Sequence, residues 1–243
     1  METPFAARRV QRVRHEIRQR NVEVARVAPM GSNFVSITFQ GDELEGFVSE
    51  SFDDHVKFLF TDSSGEYVRR DYTPRRFDRE RRELTIEFAL HGEGKASEWT
   101  RQATPGQSAV IAGPRGSMII PVDYEWHLFV GDETALPAIS RRLEELPGDA
   151  RATVIILNEA GERREFSSNA APDLRWAASP DELLSILEAM PLPPGEGFAW
   201  CAGEASSMAR VREILSRKGQ PKEAMRVAAY WKNGISSHHQ NLD

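Results

Sequence analysis

Along the first half of the chain, apolar and polar positions alternate with a period of two. Val22-Glu23-Val24-Ala25-Arg26-Val27 is one such run, residues 34–39 and 84–90 are others, and residues 55–60 form a mostly apolar stretch. A period of two sends successive side chains to opposite faces of an extended backbone, so these segments predict strands. Turn-forming clusters separate them: Pro29-Met30-Gly31, Asp62-Ser63-Ser64-Gly65, Thr104-Pro105-Gly106 and Gly113-Pro114-Arg115-Gly116. Short strands joined by regular turns predict a closed barrel. We place it at residues 17–121. The polar, basic residues 1–16 are expected to be a frayed start or a short helix.

Beyond Val122 the pattern changes. Apolar strand-length runs at 126–130, 153–157, 174–178, 197–202 and 226–231 alternate with helical patterns at 135–146, 180–190 and 205–218. Strands alternating with helices predict a parallel sheet covered on both faces. The fold class expected is therefore a β-barrel plus α/β: a barrel at 17–121, then a Rossmann-like domain at 122–243.

Composition narrows the function. A chain of 243 residues, 40% hydrophobic and 28% charged, can bury one large core or two small ones. The formal net charge of −6 argues against general nucleic-acid binding. The arginines are nevertheless clustered, seven from Arg69 to Arg82 and six from Arg8 to Arg20. Cys201 is the only cysteine, which excludes an internal disulfide and a cysteine-based metal centre. The N-terminus lacks the apolar core of a secretory signal, and no apolar run is long enough to span a bilayer. A cytoplasmic protein is expected, and, without a heptad or an apolar stripe, a monomer. His238-His239 lies in a polar tail and is read as tail rather than as a metal pair, so no metal ligands are expected.

Arg70-Asp71-Tyr72-Thr73 carries the chemistry. It sets a cation, an aromatic ring and a hydroxyl on one extended segment. His91-Gly92-Glu93-Gly94 follows a strand and opens a helix at Ala96-Ser97. A flavin dinucleotide needs these parts: a guanidinium and free N–H groups at a helix start for its pyrophosphate, and an aromatic wall and a hydroxyl for its ring. Taken alone, the four-residue motif is better described as an edge strand with a solvated arginine face. Trp99 suits either core packing or the adenine side.

Several short blocks then follow in order: Arg70-Asp71-Tyr72-Thr73-Pro74-Arg75, His91-Gly92, Ala96-Ser97-x-Trp99, Pro105-Gly106, Gly113-Pro114-Arg115-Gly116-Ser117, Gly131-Asp132-Glu133-Thr134-Ala135-Leu136-Pro137-Ala138 and Tyr230-Trp231-Lys232-x-Gly234. This succession closely resembles the siderophore-interacting protein family of cytoplasmic FAD-dependent ferric-siderophore reductases, from about Val22 to Gly234. The resemblance implies a ferredoxin-reductase-like fold, a six-stranded antiparallel FAD-binding barrel before the NAD(P)H-binding sheet, and NAD(P)H-driven reduction of an Fe(III) chelate. For FAD it implies Arg70, Asp71, Tyr72, Thr73, Glu87, Leu90, His91, Gly92, Lys95, Ala96, Ser97, Thr134, Ala135, Tyr230 and Trp231. Lys57 matches a basic residue that meets the siderophore and, with Thr73, is expected to act in the reaction. Glu87 stands where Asp is usual and Lys95 where Pro is frequent. The early end after Gly234 matches the shorter branch, which favours NADPH.

Gly131-Asp132-Glu133-Thr134 falls where a strand hands over to a helix, the crevice position for a dinucleotide in an open parallel sheet. A structural turn would look the same. Gly203-Glu204 repeats the arrangement at a later strand end. Asp132, Glu133, Asn158, Gly203, Glu204 and Arg210 are the NAD(P)H candidates. Glu159 favours NADH, whereas Arg163, Arg164 and Arg210 could hold the 2′-phosphate of NADPH, so either cofactor is open. Many ferric siderophores are anionic, and Lys57, Arg115 and Lys232 are the candidate basic entrance. Two alternatives remain: a generic flavin or ferredoxin-type reductase on the same fold, and a non-catalytic siderophore-binding protein.

Overall fold

The N-terminal half is built of strands β1 (Gln11–Arg14), β2 (Gln19–Met30), β3 (Phe34–Gln40), β4 (Val56–Thr61), β5 (Tyr67–Tyr72), β6 (Arg76–Asp78) and β7 (Glu83–Ala89), helix α1 (Lys95–Gln102), and strands β8 (Ser108–Ala112) and β9 (Gly116–Ile119). The computed structural model describes residues 9–90, 94–158, 163–234 and 240–241. Among these, seven strands form one antiparallel sheet in the order β5-β4-β8-β2-β3-β7-β6. The expected count was six; the three-residue β6, pairing only through Arg76–Asp78, adds the seventh. The sheet curls into a barrel. Phe58 on β4 and Phe88 on β7 are separated by three strands, yet their rings lie 5.2 Å apart. Trp99 on α1 plugs the interior, 4.8 Å from the Phe58 ring. It is a core residue of the barrel. The alternation in β2 is visible as Val22 and Val24 buried beside exposed Asn21 and Glu23.

The polar start is neither frayed nor helical from Gln11 on. β1 pairs with β9 as a two-stranded ribbon, Gln11 opposite Ile119. The β-branched Val13 and the glycine at 116 allow it: a Cβ on Gly116 would sit 2.4 Å from the Val13 carbonyl oxygen.

The C-terminal half runs β10 (Trp126–Gly131), α2 (Leu136–Glu145), β11 (Ala152–Leu157), β12 (Asp173–Ala177), α3 (Pro180–Ala189), β13 (Gly197–Glu204), α4 (Ala205–Arg217), β14 (Met225–Trp231) and β15 (Gln240–Asn241). The sheet order is β12-β11-β10-β13-β14-β15, with β15 alone antiparallel. In β13 seven of eight residues are buried, as a strand covered on both faces must be. Residues of α2 pack on one face with Phe129, Val154 and Ile156, together with Phe34 and Phe52 of the barrel half. Residues of α3 and α4 pack on the other with Val130, Ile155 and Val227. The chain moves outward from β10 to β12 and then returns to β13 on the opposite side. The gap between the carboxyl ends of β10 and β13 is therefore the topological switch point, where ligands of such sheets bind. α3 starts at Ser179-Pro180-Asp181-Glu182: the Ser179 hydroxyl accepts from Glu182 N at 3.2 Å and Glu182 reaches back to Ala178 N at 2.7 Å.

Polar ties lock the halves together. Arg142 of α2 is buried and donates to the carbonyls of Ile120 and Pro121 at 2.8 and 2.7 Å. Arg141 donates to Ser49 Oγ and Pro74 O at 2.8 and 2.9 Å.

Candidate functional site

A cleft of about 180 Å3 opens between the barrel and the parallel sheet. The end of β5 supplies Arg70, Asp71, Tyr72 and Thr73; β3 and β7 supply Phe34, Glu87 and Ala89; the start of α2 supplies Thr134 and Pro137; β14 supplies Tyr230, and His55 completes the lining. The four-residue motif, Thr134 and Tyr230, far apart along the chain, are thus brought to one cavity.

Tyr72 is wedged against Phe88, ring centroids 4.4 Å apart, and stands edge-on to Phe58 at 5.9 Å. Burial pushes its phenol well above the ordinary tyrosine range, Arg70 opposing, so it stays protonated. Thr73 is buried beside it. Asp71 lies opposite Lys57 across the β4–β5 ladder, and Lys57 Nζ donates to Asp71 Oδ2 at 2.6 Å. The other carboxylate oxygen, Oδ1, is buried with no hydrogen-bond partner among the described residues. A buried acceptor of that kind is costly unless a ligand donates to it. The cleft therefore combines a guanidinium, an aromatic ring, a threonine hydroxyl and an unsatisfied acceptor, a donor set that fits the phosphate, ring and hydroxylated chain of a flavin nucleotide.

Glu87 reaches the cleft with its oxygens already engaged. Oε1 accepts from Arg75 Nε at 3.0 Å and Oε2 from Arg164 Nη1 at 2.6 Å. Arg164 also lies over the Phe34 ring, 4.7 Å from its centroid. It braces the cleft wall and also lines a second cavity. Lys95 turns away: its ammonium pairs with Asp62 at 2.7 Å and with Glu66. Leu90 contributes its backbone, N–H to Asn33 O at 2.7 Å. Ala96 is half-buried, Ser97 is buried at the start of α1, and Ala135 is fully buried beneath Gly131, where an added Cβ would meet the Ala135 methyl at 2.5 Å. His91 and Gly92, like Glu93, Glu159, His238 and His239, lie outside the described residues. Arg115 and Lys232 are exposed and do not line the cleft.

The switch point is built differently. Asp132 Oδ1 accepts from Thr134 N at 2.9 Å and from Thr134 Oγ1 at 2.5 Å. Its Oδ2 accepts from Glu204 N at 2.9 Å and Trp231 Nε1 at 2.8 Å. One carboxylate thus ties the ends of β10, β13 and β14. Gly203 allows this approach, since a Cβ there would come within 2.6 Å of Asp132 Oδ2. Glu204 caps α4, accepting from Ser206 N at 2.7 Å, Ser207 N at 3.2 Å and the Ser206 hydroxyl. Burial raises its carboxyl, but these hydrogen bonds outweigh burial and hold it below the usual range. Arg210 pairs with Asp181 of α3 at 3.1 Å on the outer face. Glu133 and Asn158 line a second cavity of about 330 Å3 with Met30, Asn33, Arg163 and Arg164; it shares Phe34 with the cleft.

Sequence reasoning did not single out Phe34, His55, Ala89 or Pro137 as cleft residues. Phe34 and Ala89 sit on strands whose alternation could have flagged an inward face, and Pro137 belongs to the Gly131–Ala138 block, three residues after Thr134.

Two family descriptions match the chain: siderophore-interacting protein over residues 124–234, and siderophore-interacting FAD-binding domain over residues 23–69 and 62–118. An NADPH-dependent ferric-chelate reductase of Escherichia coli strain K12 is 32% identical over 249 residues, covering 91% of this chain and 96% of the relative. The ferric vibriobactin reductase ViuB of Vibrio cholerae is 27% identical over 245 residues, covering 88% and 90%. The crystal structure of a siderophore utilization protein from T. fusca superposes with a TM-score of 0.87 at 33% identity, covering 96% of this chain and 98% of that one. The barrel-and-sheet arrangement also recurs in ferredoxin reductases, so the fold is ferredoxin-reductase-like.

Proposed function

The chain belongs to the siderophore-interacting protein family, and from that premise we propose that it is an FAD-containing, NADPH-dependent ferric-siderophore reductase. One observation carries the proposal: the Arg70–Thr73 motif faces an interdomain cavity in which Asp71 Oδ1 is buried and unsatisfied among the described residues. Arg70 would neutralise a phosphate, Asp71 would accept from the hydroxylated chain, and Tyr72 with Tyr230 would flank the ring. Thr73 would hydrogen-bond at the reactive edge. When bound, a flavin takes an electron pair from a nicotinamide and releases electrons singly, which matches a two-electron donor to Fe(III).

The residues themselves do no covalent chemistry. They order donor, cofactor and chelate, and they bias charge. Lys57, half-exposed at the rim beside Asp71, together with Arg115 and Lys232, gives an anionic ferric chelate a cationic approach. Fe(II) carries less charge than Fe(III) and is held less tightly by anionic oxygen ligands, so reduction releases it. For the nicotinamide we favour NADPH. Arg163 lines the second cavity beside Asn158, the position after β11 where a ribose is read, and no ion pair to Arg163 occurs among the described residues. We place the reaction in the cytoplasm with the monomer as working unit; no helix among the described residues is long and apolar enough to cross a membrane.

The purified protein is expected to absorb in the visible as a flavoprotein. Anaerobic NADPH should bleach it, and a ferric siderophore should restore the colour while an Fe(II)-specific chromophore develops. A colourless protein that binds ferric siderophore would instead be a carrier. Reoxidation by ferredoxin or free flavin but not by ferric chelates would identify a generic reductase.

A further inference from the structure

Asp53 lies in the barrel half, in the loop between the 3-10 turn Asp42–Leu44 and β4, yet its side chain is buried in the sheet half. Its Oδ1 accepts from Trp200 Nε1 of β13 at 2.9 Å, and its Oδ2 accepts from Arg226 Nε of β14 at 3.2 Å. The phenol of Tyr230, four residues beyond Arg226 on β14, hydrogen-bonds to the same carboxylate. Burial, with Asp53 next, holds that phenol well above the ordinary range, so it remains a donor. The Tyr230 ring stands edge-on to Trp200 at 6.2 Å. On its main-chain side, the Asp53 carbonyl meets His55 Nδ1 at 3.1 Å. Tyr230 and His55 both line the cleft; Asp53 does not.

A buried ion pair is a poor way to gain stability, because desolvating both charges offsets their attraction. The neighbouring Phe52, Phe129 and Trp200 cluster shows that apolar packing is available at this interface. What a buried anion adds is direction. Three donors converging on two oxygens leave each donor one orientation, and a network satisfied in this way is rigid.

We propose that Asp53 is a positioning residue for the cleft, fixing Tyr230 through its carboxylate and His55 through its carbonyl so that one buried residue sets a side chain from each half against the flavin. This rests on the flavin reading of the cleft.

The test uses Tyr230→Phe, Asp53→Asn and the double variant. The readouts are the FAD dissociation constant of the apoprotein, the visible circular dichroism of bound FAD, which reports how its aromatic neighbours are oriented, and the apoprotein melting temperature. Tyr230→Phe keeps the ring and leaves no buried charge unpaired, so its melting temperature should hardly move. FAD binding should weaken roughly threefold to tenfold, as expected for one hydrogen bond to a charged group acting indirectly, and the circular dichroism should change. Asp53→Asn should change the circular dichroism in the same sense, and the double variant should differ little from either single one, because both remove the same link. If Asp53→Asn does not fold with Arg226 left unpaired, Asp53→Asn with Arg226→Met replaces it. Variants that match the wild type in dissociation constant and circular dichroism overturn the positioning role, as do effects that simply add in the double variant. Wild-type protein that takes up no FAD overturns the functional reading instead.

Discussion

The two walls of the interdomain space present the same kinds of residues and use them in opposite ways. On the barrel wall, Arg70, Asp71, Tyr72 and Thr73 face a cavity, and one Asp71 oxygen has no donor among the described residues. On the sheet wall, Asp132 and Glu204 stand at the strand ends where a dinucleotide should lie, yet they are closed by the protein's own donors: two backbone amides, the Thr134 hydroxyl and the Trp231 indole N–H to Asp132, and the first amides of α4 to Glu204. A polar residue at a ligand position is thus a ligand candidate only while the fold leaves it unsatisfied. A helix start whose amides are already capped by a carboxylate offers little to a phosphate.

The largest effect should come from the open wall. Arg70→Ala removes charge-assisted hydrogen bonds to a pyrophosphate and should weaken FAD binding about a hundredfold to a thousandfold, with the apoprotein melting temperature little changed. Fluorescence quenching of FAD by the apoprotein measures it. Unchanged flavin retention would remove the distinction between the two walls.

Acid separates the two halves next. In the sheet half, burial holds the His127 imidazole down at about 4, with the Val122 carbonyl opposing. The unfolded chain binds the proton more readily, so the contribution of neutral His127 is complete above about pH 6.5 and is lost as pH falls toward 4, by at most about 3 kcal/mol. In the barrel half, burial raises the Asp54 carboxyl, with Ser117, Ser51 and Ser49 opposing. There the folded state takes the proton more readily, and acid stabilises. Denaturant melts between pH 7 and pH 4 should show a net loss that His127→Gln flattens. An unflattened loss would place the acid sensitivity elsewhere.

How much of this was legible in the sequence follows the same division. Strands β2, β3 and β7 were readable because Val22, Val24, Ile37 and Ile86 recur every second residue on a face that is in fact buried. The helices α3 and α4 were readable from their helical patterns, whereas the Glu204 cap of α4 was not: the sequence alone sets that residue at the nicotinamide. The Arg70–Thr73 motif was readable because consecutive residues carry it. By contrast, β1 was misjudged: Gln11–Arg14 is polar and becomes a strand only by pairing with β9, a partner a hundred residues away in sequence. The engagement of Glu87 with Arg75 and Arg164 was equally hidden, as was that of Lys95 with Asp62, because each depends on a distant element arriving within reach. Asp53 is the extreme case: a loop aspartate reads as solvated until β13 and β14 close over it.

Asp132 tests the closed wall directly. Asn keeps its shape but turns one acceptor into a donor that faces donors. Asp132→Asn should therefore lower apoprotein stability by about 2 kcal/mol, seen as a fall in melting temperature without any nicotinamide present. Full stability with impaired NADPH binding would show that the residue is a ligand after all.

The smallest effect, and the one whose sign matters most, is expected at Glu204. As a cap it contributes about 1 kcal/mol. Its depressed carboxyl means that this contribution is present above the ordinary glutamate range and lost as pH falls below it. Its negative charge also sits at the α4 N-terminus, where a pyrophosphate would otherwise gain from the helix dipole. Glu204→Gln keeps an oxygen for the Ser206 and Ser207 amides and removes the charge. Stability should fall slightly, while the KM for NADPH should drop about twofold to fivefold at low ionic strength, by the fraction of a kcal/mol to 1 kcal/mol such a charge is worth near a helix end, and this gain should vanish in high salt. A carboxylate that instead held the ribose would give a higher KM in the glutamine variant at every salt concentration, because a charged acceptor would have been exchanged for a weaker one.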